Sequence, residues 1–365
     1  MQHDVYVEVN KSALKHNLQE VSKLAATPVL AVVKANAYGH GMVETARTFV
    51  ESDAWGVAVT RLSEASEIRQ AGIEAPILVF SPILPKNAAD AVEMNVISTV
   101  DRLDCAAAIS RAAVSAGVVA SIHVKVDTGM GRLGVESTAV LDFFQGLLAL
   151  PGLAITGIYT HFACSPEKDP QPTQQQLKVF KDVLDILRAE NIDYGITHCA
   201  NSAAIIRFPE TRMDLVRPGT LLYGQYPSTH VPKPLKLQDT WKLKARIVDI
   251  RELPAGRSIG YGAEYTTKNL TKMAVVPIGW ADGYSMVPDG PVYRQGIVSF
   301  ALRKLRRQKH VMVGGKRANV LGRVSMQMTC LNITGIDGVQ IGDSVEIPAM
   351  RIPIDTSIPR VYVDF

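Results

Sequence analysis

The sequence predicts a (β/α)8 barrel of the TIM type followed by a mostly β domain, and three observations carry that prediction. Eight short apolar or β-branched runs recur in the amino-terminal part of the chain. Stretches with helical periodicity separate them. Beyond the eighth, strand-like runs continue while the amphipathic helices stop. A length of 365 residues, set against the ~150 typical of a domain, leaves room for two domains or for one barrel with an appendage.

The eight runs span 29–33, 55–59, 77–80, 96–100, 121–126, 155–160, 195–199 and 213–216. Several are continuously apolar, as strands are when a parallel sheet is covered on both faces. Between them, Leu177, Phe180, Leu184 and Leu187 fall on one face of the stretch 171–190, and Leu14, Leu18 and Val21 form a similar stripe before the first run. A doubly wound open sheet is the alternative, but it needs fewer strands and a nucleotide fingerprint at the first turn. GMGRLG at 129–134 matches GxGxxG, yet it follows the fifth run and no acidic residue stands near position 150 to take a ribose. It reads as a glycine-rich loop over the barrel mouth.

HVPKPLKLQD, with two prolines, reads as a connector, placing the barrel at 1–235 and the β domain at 236–365. The strand-like segments of the second part are WKLKARIVDIREL, MAVVPIG, GIVSFAL, ANVLGRV, MTCLNI and SVEIP. LRKLRRQKH at 302–310 is strongly basic but carries no aromatic platform, so it reads as a solvated hairpin or loop. Lys and Arg exceed Asp and Glu by only 39 to 35, and that balance implies neither a nucleic-acid nor a membrane partner. Cys105, Cys164, Cys199 and Cys330 form no CxxC and no repeated spacing, so neither a disulfide framework nor a metal site is expected. MQHDVYVEVNKSALKHN lacks the pattern of a secretory leader, and no run approaches the ~18 apolar residues of a membrane span; a cytoplasmic location is expected.

In a barrel, reactive side chains collect just past the carboxyl ends of the strands, where the loops converge on one mouth. Lys34 in AVVKANAYGHG occupies that place after the first run, and Lys125, Asp127 and Arg132 occupy it in HVKVDTGMGRLG. His161 in IYTHFAC, His198, Asn201 and Ser202 in THCANSAA, and Arg217 in DLVRPGTLLYG complete the ring. A lysine at the edge of an apolar pocket can lose its proton and form a Schiff base; the plainer reading is a packed stem whose ammonium reaches water. GHG at 39–41, RPGT at 217–220 and Ser202 could offer backbone and hydroxyl donors to a phosphate.

AVVKANAYGHG, KVDTGMGRLG, THFA, NSAA, RPG, IGYGAEY and GRVSM, in that order and spacing, resemble the alanine racemase family from about position 6 to position 360. The resemblance implies a pyridoxal 5'-phosphate enzyme with an eight-stranded barrel and a β domain, working as a homodimer on a small amino acid and supplying D-alanine for peptidoglycan. It implies that Lys34 carries the cofactor and is one of two catalytic bases, acting on the D enantiomer, and that Tyr261, reaching in from the partner subunit, acts on the L enantiomer. Opposite faces of one carbon require two bases. Arg217 is implied at the pyridine nitrogen, His161 between Arg217 and Tyr261, and Tyr38, Ser202, Gly219 and Thr220 at the phosphate. Arg132 and Met326 are implied at the substrate, with Lys125 beside Arg132 and carbamylated, as it is in many relatives.

The chain departs from that family pattern at three places. Gln327 follows Met326 where an aspartate is usual, Trp280 replaces the tyrosine of GYADG, and the tail VEIPAMRIPIDTSIPRVYVDF has no Tyr-Glu pair. Tyr362 stands too late in the alignment to replace that tyrosine. These changes leave open a racemase preferring serine or a basic amino acid. A non-catalytic pyridoxal-phosphate carrier is the remaining alternative; it would lack the β domain and Tyr261. A barrel decarboxylase is disfavoured because its His-Gly-Ser and Cys-Glu signatures are missing.

Overall fold

The computed structural model describes residues 3–285 and 310–365. It comprises two compact units, Lys11–Tyr38 with Met42–Thr240, and Met1–Asn10 with Gly39–Gly41 and Trp241–Phe365. This division does not follow chain order at 235: the strand VYVEVN (Val5–Asn10) belongs with the second unit. Its alternation of apolar and polar residues is that of a strand with one buried face.

In the first unit, Leu30–Val32, Gly56–Val59, Ile77–Val79, Ile97–Val100, Ala120–Asp127, Leu153–Tyr159 and Ile196–His198 pair side by side in this order, all parallel. The first four are buried along their whole length, which explains the unbroken apolar character of the first three; the fourth also buries Ser98 and Thr99. The eighth run is a strand only in function. Val216 N donates to Pro28 O and Leu30 N to Val216 O on one side; on the other, Asp214 N donates to Thr197 O and Arg217 N to Ala200 O. These bridges close the barrel, and Pro218, which has no N–H, accepts from Val32 N instead of extending the ladder. The helices fall where the periodicity places them, including Lys11–Ala25, with Leu14, Leu18 and Val21 buried, and Gln171–Ala189, with Leu177, Phe180, Leu184 and Leu187 buried.

Among the described residues, the second unit holds a nine-stranded sheet and the separate pair Ser258–Ile259 with Tyr265–Thr266. The order of the sheet is Asp249–Leu253, Thr271–Val276, Thr329–Asn332, Lys316–Leu321, His310–Val313, Ser344–Ile347, Trp241–Arg246, Val5–Asn10 and Arg360–Val363. WKLKARIVDIREL is two strands, broken at Ile247 and Val248. The expected strand GIVSFAL and the basic run, apart from His310, lie outside the described residues. The segment Gly39–Gly41 is fastened to this unit: Gly39 O accepts from Trp241 Nε1 and from Arg360 Nε, each at 3.2 Å, and His40 O accepts from the Tyr362 hydroxyl at 3.0 Å.

All four cysteines are free thiols. Among the described residues no helix is long and apolar enough to cross a membrane, and no group of His, Cys, Asp and Glu is arranged to hold a metal ion.

Candidate active site

Lys34 follows the first barrel strand at the point where the backbone changes hand. Ala35, Asn36, Ala37 and Tyr38 have φ of 54°, 53°, 51° and 54°, a left-handed helical turn built without glycine. At about 1–2 kcal/mol for each such residue, the turn is strained by several kcal/mol and must be held from outside. Ala37 N donates to Val33 O at 2.8 Å, Ala35 N to Glu64 Oε1 at 2.8 Å, and Met42 N to Asn36 Oδ1 at 2.9 Å. The Lys34 ammonium lies 5.9 Å from the Phe80 ring centroid. Burial pushes its pKa down, the Arg132 guanidinium pushes the same way, Glu64 opposes, and Arg217 adds to the fall.

Arg217 is buried, and the hydrogen-bond partners of its guanidinium are all neutral. One nitrogen donates to His198 Nδ1 at 2.7 Å, and another to the carbonyls of Thr160 (2.7 Å) and Cys199 (3.3 Å). Burial lowers its pKa only to about 10, so it stays a cation at neutral pH. Because arginine can only donate, His198 Nδ1 must accept, and its proton sits on Nε2, which donates to His123 Nδ1 at 2.9 Å. The remaining His123 N–H, on Nε2, is buried without a partner. The ladder makes room for this second imidazole: register shifts between Ile122 and His123, setting His123 opposite Gly157, where a Cβ would come within 2.7 Å of the ring. Tyr159 stacks on His198 with centroids 4.8 Å apart and planes 8° from parallel, and its hydroxyl shares a 2.9 Å hydrogen bond with Thr99.

Around the same mouth, burial, then Arg132 and Arg217, push Lys125 down to about 8, and its ammonium lies 5.8 Å from the Tyr159 centroid. The loop carrying Arg132 is shaped by Asp127, whose carboxylate accepts from the amides of Gly129, Met130 and Gly131. Burial drives His161 down to about 3, followed by the fields of Arg217, Lys125, Lys34 and Arg132. Arg217 is hydrogen-bonded to His198, however, and no bond between it and His161 is formed.

Polar groups of a different kind meet at the ends of the seventh and eighth strands. Ser202 Oγ accepts from Gly219 N at 2.9 Å. A Cβ on Gly219 would stand 2.4 Å from the Tyr38 hydroxyl, so only glycine leaves that cradle open. Thr220 Oγ1 is buried with no partner. The barrel unit thus gathers Lys34, Tyr38, Lys125, Arg132, His161, Ser202, Arg217, Gly219 and Thr220 at the carboxyl ends of its strands.

Tyr261 and Met326 belong to the other unit. Tyr261 lies in the turn between Ser258–Ile259 and Tyr265–Thr266, with Gly260, Gly262 and Ala263 at φ of 73°, 70° and 48°. Its side chain is 70% exposed. Glu264 beside it pairs with Arg323 of GRVSM. Trp280 and Met326 are also exposed, and Trp280 N and Ala281 N donate to Ser325 O and Met326 O, which ties the two variant segments together. The Gln327 amide reaches Asp282 Oδ1 at 3.5 Å.

Sequence reasoning names His198 without giving it a partner and passes over His123, Tyr159 and Glu64. The alternation in SIHVKVD, which sets His123 on the same face as Lys125 and opposite Ile122, Val124 and Val126, is the one local signal for His123.

A closed parallel barrel with a lysine and two arginines at its mouth, joined to a β unit that displays a tyrosine, defines a two-unit barrel enzyme of the lysine-centred kind. Residues 9–227 match the family described as alanine racemase, N-terminal domain, and 240–358 match alanine racemase, C-terminal domain. The chain belongs to the alanine racemase family, whose members are pyridoxal-phosphate-dependent isomerases. It is 40% identical to the alanine racemase of Desulforamulus reducens across the whole of both chains, and 37% identical to that of Methanococcus maripaludis over 94% of this chain and 89% of the relative. Among solved structures it resembles alanine racemase of Clostridium difficile 630, with a TM-score of 0.90 at 30% identity, covering 100% of this chain and 97% of that one.

Proposed function

We propose that the protein interconverts L- and D-alanine with pyridoxal 5'-phosphate held at the barrel mouth, and that it supplies D-alanine for peptidoglycan inside the cell. The observation that carries this reading is Lys34, an amine whose proton is loosened by burial and by Arg132, fixed at the end of the first strand beside a cradle of neutral donors.

That cradle fits the cofactor. The Tyr38 and Ser202 hydroxyls, the open space at Gly219 and the orphaned Thr220 hydroxyl suit a buried phosphate, and Arg217, with only neutral partners, suits the nitrogen end of the ring. When bound, the cofactor supplies a carbonyl for amines and a ring that spreads the charge of a deprotonated carbon. Arg217, which holds its own proton, would offer the ring nitrogen a hydrogen bond in place of a charge and so restrain that delocalisation. The Lys34 ε-amine moves the proton on one face of the substrate Cα, and the Tyr261 phenol, from the partner of a homodimer, moves it on the other. His161 lies in the field of Arg217, without a hydrogen bond to it. Arg132 takes the substrate carboxylate beside Met326.

Lys125, drawn down to about 8, is poised to add carbon dioxide: its neutral amine forms the N–C bond, a proton leaves, and the cation facing Arg132 becomes an anion. An intact mass heavier by one carbon dioxide, lost on acidification, is expected. Trp280 and Gln327 set the selectivity among small amino acids, with alanine first and serine or a basic residue as competitors. Borohydride reduction of the loaded protein should fix the cofactor on the peptide containing Lys34, and α-proton exchange should be fastest with alanine. Attachment elsewhere, or no exchange with any amino acid, overturns the reading.

A further inference from the structure

Glu64 has no role in the chemistry proposed so far, yet it touches the backbone that carries Lys34. It lies in the helix Leu62–Gln70, just past the second barrel strand. One carboxylate oxygen, Oε2, accepts from Thr60 N and Arg61 N, each at 2.9 Å. The other reaches across to Ala35 N at 2.8 Å. Ala35 is the residue after Lys34 and the first of the four left-handed residues. Two of the three bonds anchor Glu64 to its own loop, so the third is delivered from a fixed point.

We infer that Glu64 is the positioning residue of Lys34: it pins the first amide of the left-handed turn and sets a negative charge against the arginines that surround the ε-amine. The inference rests on Lys34 as the reactive amine. Charge-assisted bonds of this kind are about twice as strong as neutral ones, which is what a strained turn without glycine requires. The charge has a second effect. Arg132 and Arg217 press the Lys34 ammonium to give up its proton, and His161, if it charged, would add to them; Glu64 presses the other way. It keeps the amine from being neutral under all conditions, so that Lys34 can hold a proton as well as take one.

The test separates the brace from the charge and uses the full-length protein without added cofactor. Lys34 labelling by reductive methylation, followed by mass spectrometry across pH, reads the amine. Hydrogen exchange over residues 34–38 reads the turn. Glu64→Gln is expected to move the labelling midpoint to lower pH and to raise exchange at Ala35 about tenfold, the effect of one lost charge-assisted bond. Glu64→Asp, which keeps the charge and shortens the reach, is expected to restore the midpoint while leaving exchange fast. Wild-type midpoint and wild-type exchange in Glu64→Gln overturn the inference, as does Glu64→Asp failing to restore the midpoint. Because these readings need no cofactor, they stand apart from the function itself: a wild-type protein that fixes no cofactor on Lys34 defeats the functional reading, whatever Glu64 does.

Discussion

The two residues proposed as bases sit on the same backbone device in opposite settings. Lys34 begins a left-handed turn made of Ala35, Asn36, Ala37 and Tyr38, half-buried and fastened by Glu64, Asn36 and Val33. Tyr261 sits in a turn of positive φ at Gly260, Gly262 and Ala263, where the two glycines take most of it without strain, with its own side chain largely in solvent. A turn held by surrounding bonds can tolerate a run of Cβ atoms in the wrong region; the turn on the open surface relies mainly on glycine, with Ala263 its one such residue. The barrel unit completes the surroundings of its lysine, whereas the β unit presents its tyrosine without enclosing it. That asymmetry is what the proposed sharing of one site between two subunits would require of each half.

The sharpest way to break this contrast is Lys34→Ala, which should lower racemisation by at least about 10⁴-fold in both directions, followed by loss of optical rotation or by α-proton exchange. Activity within tenfold of wild type would remove Lys34 from the chemistry. Tyr261→Phe should cost racemisation about 10²–10⁴-fold, equally in both directions because the equilibrium constant is one, while α-proton exchange with solvent is lost for L-alanine and kept for D-alanine; the unfolding midpoint should stay unchanged because the residue is exposed. Equal loss of α-proton exchange for the two enantiomers would end the assignment of one base to each face.

The third prediction concerns the buried imidazoles behind Arg217. Burial, then Arg217, lowers His123 to about 3, and the same two causes, with His123 third, push His198 well below its ordinary value. The unfolded chain takes up these protons near pH 6.5 and the folded protein does not, so the stability they confer is whole above that pH and drains as pH falls toward 3. The slope should be about 1.4 kcal/mol per pH unit for each histidine, measured by denaturant unfolding. His123→Asn should flatten it; an unchanged slope would show that the pair is not held neutral. The smallest effect belongs to the turns themselves. Ala35→Gly should stabilise the fold by about 1 kcal/mol and Gly262→Ala should destabilise it by a similar amount. If Ala35→Gly destabilises, the strain assigned to the lysine turn is absent.

The barrel was legible because strands buried on both faces leave continuous apolar runs, and the mouth was legible because barrel topology says where polar residues after strands must gather. Two kinds of feature escaped. The strand Val5–Asn10 shows correct alternation, but nothing local says that its neighbours are Trp241–Arg246 and Arg360–Val363, since pairing partners are a property of the whole sheet. The His198–His123 pair and Glu64 escaped because their roles come from contacts across sequence, created in one case by a register shift opposite Gly157 and in the other by a helix that begins beside the lysine turn. The hand of Ala35–Tyr38 was also hidden, because alanine and tyrosine carry no signal for positive φ.

The placement of Val5–Asn10 reaches beyond the finished molecule to its synthesis. This strand leaves the ribosome ahead of the barrel, yet both of its neighbours are made only after the barrel is complete. Until then it is a nascent edge with one apolar face, a species that chaperones bind and that other unpaired edges can capture. A shortened version of this protein that stops at Thr240 would keep that liability for good, so an isolated barrel should be cut to begin at Lys11.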